Sequence, residues 1–152
     1  MPRPVTPSLA CDTIIELIDY PNRPIVLIER ANPPYGWAIP GGFVDVGEMM
    51  EQAAVREARE EVRLDIKLVA LLGLYSDPSR DSRGHTVTAV YVAEAFGIPE
   101  AADDAKNCQI FSVDNLPQLL AFDHSQVLFD YLNFRATGKI APLRGVSVIE
   151  SS

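Results

Sequence analysis

The chain has 152 residues, 47% of them hydrophobic and 22% charged, a composition typical of a single globular domain and not of a disordered chain. Twenty-one acidic against 13 basic residues give a net charge of -8 at pH 7, which repels the phosphate backbone of DNA or RNA. No apolar run has the length of a signal peptide core or a membrane span, so we expect a cytoplasmic protein that binds neither nucleic acid nor membranes.

The first third of the chain predicts a β-hairpin followed by a loop. Residues 13–18 and 24–29 are apolar and β-branched, and a Pro- and Asn-containing turn separates them. Residues 31–40 contain three prolines, a glycine and two bulky aromatics, a composition typical of a loop. This loop leads into Pro40-Gly41-Gly42, which predicts a turn.

The rest of the chain predicts alternating helices and strands. Residues 50–62 are rich in Ala, Glu and Arg and lack Gly and Pro, so they predict a helix. The loop 75–85 is denser in charged and turn residues than solvent exposure requires, which favours a functional loop. We expect strands at 64–74, 86–96 and 108–113, a helix at 125–135, a single domain over 1–137, and a tail over 138–152 with an apolar patch at 146–149.

The cysteines and histidines do not have the spacing of a metal site. Cys11 and Cys108 are far apart in the sequence, and so are His85 and His124. We therefore expect Cys11 and Cys108 to be buried, reduced thiols.

Three acidic residues of the predicted helix share one of its faces. A helix turns by about 100° per residue, so Glu57, Glu60 and Glu61 fall within one arc. Like charges at these spacings are destabilising unless a cation lies among them, and hard oxygen ligands suit Mg²⁺ or Mn²⁺. The alternative is an acidic helix face that is simply solvated.

The surrounding residues favour the metal interpretation. From Gly42, five residues lead to Glu48, seven more lead to Arg56-Glu57, and the run continues to Glu60-Glu61. This pattern resembles the Nudix box, in which G, five residues, E and seven residues precede R-E-U-x-E-E-x-G-U, where U is a bulky aliphatic. The chain is therefore identified as a member of the Nudix family.

The resemblance implies a fold, an activity and a set of site residues. The fold is an α/β/α sandwich around a mixed β-sheet, and the activity is hydrolysis of a nucleoside diphosphate linked to another moiety. In the family pattern Arg56 orients the glutamates and Glu48 lies near the metal. The catalytic candidates are Arg56, Glu57, Glu60 and Glu61, and the ligands of Mg²⁺, or alternatively Mn²⁺, are Gly41, Glu57, Glu60 and Glu61.

Two positions depart from the box. Ala58 is small where an aliphatic residue is usual, and Arg63 replaces the last glycine. A residue that ends a helix there usually adopts positive φ, which costs a residue with a Cβ roughly 1 kcal/mol. We expect Arg63 to adopt this strained conformation.

Downstream segments resemble one branch of the family, the ADP-ribose pyrophosphatases. These segments are residues 76–85, 103–106 and 121–124. Arginines can bind a diphosphate or a terminal ribose through charge-assisted hydrogen bonds, and aromatic rings can stack on adenine. The substrate-binding candidates are Arg30, Tyr35, Trp37, Phe43, Arg80 and Arg83.

Several candidates have a structural alternative. Trp37 could belong to the core, and Asp123 with Gln126 reads as a helix N-cap and its capping partner. Asp103 and Asp104 could form a solvated turn, although the family often draws an additional acidic group from a loop on this side. Together with Glu48 and Glu100 they remain candidates for the general base or a further metal ligand.

The leading function is Mg²⁺-dependent hydrolysis of ADP-ribose or a related nucleoside diphosphate derivative. One alternative is a pyrophosphatase for damaged nucleoside triphosphates, and another is a non-catalytic module that senses an ADP-ribose-like ligand. Sensing relatives carry a winged-helix domain after the Nudix domain, and too few residues follow the last predicted helix for one. A small-molecule nucleoside diphosphate is the expected partner, and the sequence leaves a homodimer open.

Overall fold

A computed structural model describes residues 2–102 and 105–145 of the chain. The predictions for Asp103 and Asp104 and for the apolar patch at 146–149 lie outside the described residues. The elements are β1 (Ser8–Leu17), β2 (Ile25–Arg30), β3 (Trp37–Ala38), β4 (Gly41–Phe43), α1 (Met50–Val62), β5 (Lys67–Tyr75), β6 (Thr86–Ala95), β7 (Ala105–Phe111) and α2 (His124–Thr137).

The strands form one mixed sheet in the order β3-β2-β1-β6-β5, to which β4 adds on β1 and β7 on β2. The central pair, β1 with β6, is parallel over ten residues, whereas the other pairs are antiparallel. Both central strands are mostly buried, as expected for parallel strands that are covered on both faces. The predicted hairpin is confirmed, because β1 pairs antiparallel with β2.

Successive residues of β1 and β2 point to opposite faces of the sheet and meet different helices. Ile14 and Leu27 pack in one core cluster with Val127, Leu128 and Tyr131 of α2. Their neighbours Ile15 and Val26 pack in a second cluster with Ala58 and Val62 of α1. The sheet therefore lies between the two helices, which confirms the predicted α/β/α sandwich.

Helix α1 has the predicted bounds and the predicted strained exit. The N–H of Met49 donates to Oε1 of Gln52 at 2.9 Å at the N-terminus. At the C-terminus Arg63 adopts φ 56° and ψ 38°, and its N–H donates back to the Arg59 carbonyl at 3.2 Å. The positive φ expected at this departure from the box is confirmed.

Two local predictions are wrong. Gly41 and Gly42 do not form a turn but belong to β4, where they pair with Asp12 and Cys11 of β1. Asp123 precedes α2 as predicted, yet its side chain makes no capping hydrogen bond. Its carboxylate instead binds Arg80, as described below.

Strand bounds also shift where long-range pairing decides them. β1 begins at Ser8 rather than residue 13, because the whole segment pairs with β6. β7 begins at Ala105 rather than residue 108 because this segment pairs with β2. β5 begins at Lys67 rather than residue 64. Helix α2 extends past the predicted end to Thr137, where Gly138 adopts positive φ.

The first residues of the predicted tail pack on the domain. The N–H of Ala141 donates to the Leu72 carbonyl at 2.8 Å, and the guanidinium of Arg144 donates twice to the buried carboxylate of Asp130 at 2.6 Å. Cys11 is buried and Cys108 partly buried, and both are free thiols. Neither helix of the described residues has the length and hydrophobicity to span a bilayer.

Candidate active site

A cavity of about 360 Å³ opens where β1, β4 and α1 meet the loop after β5 and the residues before α2. Acidic residues from α1 and β1 line it together with four arginines. The cavity therefore brings together residues from both ends of the sequence. Among the predicted site residues its lining includes Arg30, Gly41, Phe43, Arg56, Glu57, Glu61, Arg80 and Arg83.

Helix α1 presents Glu57 and Glu61, one turn apart, to this cavity. Glu61 is buried, and its Oε2 accepts a hydrogen bond from the N–H of Gly41 at 3.1 Å. Burial raises the pKa of Glu61 to about 8 and also raises the pKa of Glu57. Among the described residues Glu61 has no ion pair, and the charge of Arg30 only partly offsets the effect of burial on its pKa.

The glycine pair allows the carboxylates to approach the backbone. A Cβ added at Gly41 would lie 1.9 Å from Oδ1 of Asp12, and one added at Gly42 would lie 2.5 Å from Oε1 of Glu57. Any side chain at either position would displace a carboxylate. The two glycines are therefore required by the packing of the acids rather than by a turn.

Arg56 organises the outer acids of the site. Its Nε and Nη2 donate to the two carboxylate oxygens of Glu48 at 2.7 and 2.9 Å. Its Nη1 donates to Glu57 at 2.9 Å and to Glu60 at 3.1 Å. The two bonds from Arg56 to Glu48, with a further bond from the Asp45 N–H, hold the pKa of Glu48 down to about 2. The arrangement matches the orienting role that the resemblance implies for Arg56, with Glu60 more exposed and outside the cavity lining.

Asp12 and His124 also line the cavity beside these acids, and neither is among the site residues predicted from the sequence. The imidazole Nε2 of His124 lies 3.2 Å from Oδ2 of Asp12. Its Nδ1 accepts a hydrogen bond from the N–H of Ile39 at 3.0 Å. A single Asp in a strand and a single His near a helix start have no periodic signal, so only their meeting in the fold reveals them.

Two arginines of the cavity lining lie over the same aromatic ring. The guanidinium carbons of Arg30 and Arg83 lie 4.8 and 5.2 Å from the ring centroid of Phe122. Phe122 has φ 55°, a strained conformation for a residue with a Cβ. Burial and the neighbouring charge of Arg83 lower the pKa of Arg30. An anion between the two guanidinium groups would relieve their repulsion.

Arg83 and Arg80 differ in how free they are to bind a ligand. Arg83 is half-exposed and donates to the buried carboxylate of Asp81 at 2.8 Å. Arg80 is almost fully buried, and both edges of its guanidinium are occupied, by Asp123 and by the hydroxyl of Thr88. The geometry favours Arg83 over Arg80 as a substrate contact.

Tyr35, Trp37 and Glu100 lie outside the cavity lining. Tyr35 is exposed, and Trp37 packs edge-on against Phe111 beside the core cluster, as its structural alternative predicted. Glu100 is exposed and lies 3.8 Å from Arg63. Phe43 does line the cavity and is half-exposed, so its ring is accessible to a ligand.

The donor set of the cavity fits a hard divalent cation in its chemistry. The cavity lining includes the carboxylates of Asp12 and Glu57 and the buried Glu61, all of them hard oxygen ligands. In residues 2–102 and 105–145 no three acidic or histidine side chains form a ready-made metal-binding group. Glu57 and Glu60 each direct one oxygen at Arg56.

Comparison with known proteins gives a consistent result. A family model described as the NUDIX domain matches residues 12–131. Over 132 residues the chain is 44% identical to the ADP-ribose pyrophosphatase of Methanocaldococcus jannaschii, covering 85% of this chain and 75% of that protein.

Two solved structures resemble the fold. The NUDIX domain of Shewanella oneidensis NrtR complexed with ADP ribose superposes with a TM-score of 0.74 at 26% identity, covering 88% of this chain and 90% of that one. A bifunctional NMN adenylyltransferase/ADP ribose pyrophosphatase from Francisella tularensis, complexed with AMP and Mn ion, gives 0.72 at 25% identity. That match covers 84% of this chain but only 42% of the Francisella protein.

Proposed function

The chain belongs to the Nudix family, and from that premise we propose that it is a divalent-metal-dependent hydrolase that cleaves the diphosphate of ADP-ribose or a closely related nucleoside diphosphate derivative. The observation that carries the proposal is one cavity lined both by Glu57 and the buried Glu61 of α1 and by the arginine pair around Phe122. The 44% identity to an ADP-ribose pyrophosphatase supports the substrate class.

Mg²⁺ or Mn²⁺ would be held by Glu57 and Glu61, which line the cavity, together with the more exposed Glu60 of the same helix and a backbone oxygen of Gly41. The support for this assignment is the carboxylate lining of the cavity and the absence of an ion pair at the buried Glu61 among the described residues. When bound, the cation supplies charge neutralisation of the diphosphate and a lowered pKa for the attacking water.

The protein side chains bind the substrate and orient the carboxylates of α1. Arg56 fixes the carboxylates of Glu57 and Glu60 through one nitrogen, Nη1, so that both keep a defined direction. Arg30 and Arg83 hold a negatively charged phosphate group of the substrate through charge-assisted hydrogen bonds. The half-exposed ring of Phe43 stacks on the base.

A product-resolved substrate screen tests the proposal. ADP-ribose, NADH, diadenosine polyphosphates and nucleoside triphosphates are incubated with Mg²⁺ or Mn²⁺. We expect ADP-ribose to have the highest kcat/KM and to yield AMP and ribose 5-phosphate. A preference for triphosphates would support the damaged-nucleotide alternative, and tight binding of ADP-ribose without turnover would support a sensing module.

The arginine pair is tested with matched variants. Arg83→Ala and Arg30→Ala each remove a charged donor worth about 1.5–3 kcal/mol, so we expect KM for ADP-ribose to rise about tenfold or more. Arg59→Ala is the control, because Arg59 pairs with Asp65 on the exposed side of α1. Equal KM in all three variants would contradict the phosphate-binding role.

The predicted cytoplasmic location and homodimer stay predictions.

A further inference from the structure

We propose that His124 is a positioning residue of the active site, which holds the carboxylate of Asp12 in place beside the glycine pair. The inference rests on the proposed function for its meaning, but its geometry and its main tests do not depend on the substrate. His124 and Asp12 come from opposite ends of the domain match, and neither belongs to the box.

The surroundings of His124 select one form of its ring. The side chain is 3% exposed, and Nδ1 accepts a hydrogen bond from the N–H of Ile39 at 3.0 Å. A nitrogen that accepts cannot carry a proton, so the ring proton of this neutral imidazole lies on Nε2. That atom is 3.2 Å from Oδ2 of Asp12, within reach of a hydrogen bond.

The other oxygen of Asp12 points to the site. Oδ1 lies where a Cβ of Gly41 would be, and Gly41 is the residue whose N–H binds Glu61. Asp12 also pairs with Gly41 in the register of β1 and β4, and the Thr13 N–H donates to the Pro40 carbonyl at 2.9 Å. The carboxylate of Asp12 therefore contacts the His124 imidazole through Oδ2, while Oδ1 lies beside Gly41 on the side of the acids of α1.

His124 links the carboxylate of Asp12 to the backbone of residues 39–41, where the Gly41 N–H donates to Glu61. Its bond to Ile39 anchors the segment Ile39-Pro40-Gly41, and its contact with Asp12 anchors β1 on the other side of Gly41. A neutral, fully buried ring can act as a rigid spacer because both nitrogens are engaged. Outer-shell groups of this kind orient the groups that contact a metal or substrate.

A merely structural histidine would need only the bond to Ile39. The distinguishing contact is the one with Asp12, so variants are chosen to separate the two. Glutamine can supply an acceptor for the Ile39 N–H and a donor for Asp12, whereas leucine fills similar space and supplies neither. Asp12→Asn removes the charge that His124 is proposed to orient.

The first experiment is nitrogen NMR of the wild-type imidazoles. The chain has two histidines, and the exposed His85 is removed by His85→Gln, so the remaining signals belong to His124. We expect a neutral ring with the proton on Nε2 at the assay pH. A ring protonated on Nδ1, or on both nitrogens, would overturn the proposal without any variant having to fold.

The second experiment measures Mn²⁺ binding to the full chain by electron paramagnetic resonance, together with kcat and KM. His124→Leu should weaken Mn²⁺ binding or lower kcat about 10- to 100-fold, the usual scale for an outer-shell group, with KM little changed. His124→Gln should recover most of the loss. His85→Gln should behave as wild type.

A double-mutant comparison decides whether His124 acts through Asp12. If it does, His124→Leu combined with Asp12→Asn should be no worse than Asp12→Asn alone. Fully additive losses, or wild-type Mn²⁺ affinity and kcat in a folded His124→Leu variant, would overturn the proposal. Normal Mn²⁺ effects without turnover of any nucleotide would instead refute the proposed function and leave the positioning role in place.

Discussion

Arg80 and Asp123 lie 43 residues apart in the chain and form a two-pronged ion pair, in which Nε and Nη2 donate to the two carboxylate oxygens at 3.0 and 2.8 Å. The pair ties the loop between β5 and β6 to the start of α2. The third nitrogen, Nη1, donates to the hydroxyl of Thr88 at 2.7 Å. Arg80 was a predicted substrate ligand, yet its guanidinium is occupied by the protein.

We therefore expect Arg80→Ala to act first on stability. Removing the arginine leaves the carboxylate of Asp123 without its counter-charge in a poorly hydrated environment, which costs about 3 kcal/mol. Chemical denaturation measures this loss, and the double variant with Asp123→Ala should recover part of it. A stable Arg80→Ala protein whose KM for ADP-ribose is raised would show instead that Arg80 contacts the substrate.

Glu61→Gln should separate catalysis from folding. The amide keeps the shape of the carboxylate but removes the charge that a cation and its water require, so kcat should fall about 100-fold or more. The metal-free variant should be no less stable than wild type, because the amide oxygen can still accept the Gly41 N–H and the amide carries no charge to bury at any pH. Glu51→Gln, on the same helix but outside the cavity, is the control. Unchanged turnover in purified Glu61→Gln would rule out the catalytic role.

Arg63→Gly should stabilise the protein by up to about 1 kcal/mol, less the entropy that glycine gains in the unfolded chain. The reason is the φ of 56° at Arg63, which glycine adopts without steric cost. Arg63→Ala is the matched control, because it keeps the Cβ strain and removes only the exposed contact with Glu100. Denaturant unfolding of the three proteins decides, and equal destabilisation of both variants would mean that the side chain of Arg63 matters more than its backbone.

Acid should selectively remove the contribution of Glu48. Its pKa is held down to about 2 in the folded protein by Arg56, below the ordinary value of 4.5. A depressed pKa in the folded state adds stability above the unfolded pKa, and this stability is lost as the pH falls from about 4.5 towards 2. The difference in unfolding free energy between wild type and Glu48→Gln should therefore be largest near pH 7 and shrink over that interval.

The control for this acid titration is Glu29→Gln, because Glu29 has no side-chain hydrogen bond or ion pair within the described part of the chain. The gap between wild type and Glu29→Gln should stay constant. A gap for Glu48→Gln that does not change with pH would mean that the contact with Arg56 does not stabilise the fold.

Local features of this protein were predictable because they depend on neighbours in the sequence. Helix α1 has the bounds Met50–Val62 that its composition predicts, and Arg63 has the positive φ expected where a glycine is missing. The spacing of Glu57, Glu60 and Glu61 on one helix follows from the helical repeat alone. The mixed sheet and the sandwich were available from the sequence through the resemblance of the box.

Other features exist only where distant segments meet. The strand bounds at Ser8 and Ala105 follow from pairing with β6 and β2, not from the composition of the segments themselves. Asp123 fits the local pattern of an N-cap, yet its carboxylate binds the buried Arg80 from another loop instead of the helix backbone.

The sequence alone determined the family, the helix that carries the acids and the chemistry of its donors, because these are encoded within one short segment. Only the tertiary structure decided which acids line the cavity, that Arg80 is tied to Asp123, and that Asp12 meets His124. The physical reason is that burial and counter-charge depend on what the folded chain brings near a group. The same reason explains why Glu61 has its pKa raised to about 8 while that of Glu48, thirteen residues earlier, is held at about 2.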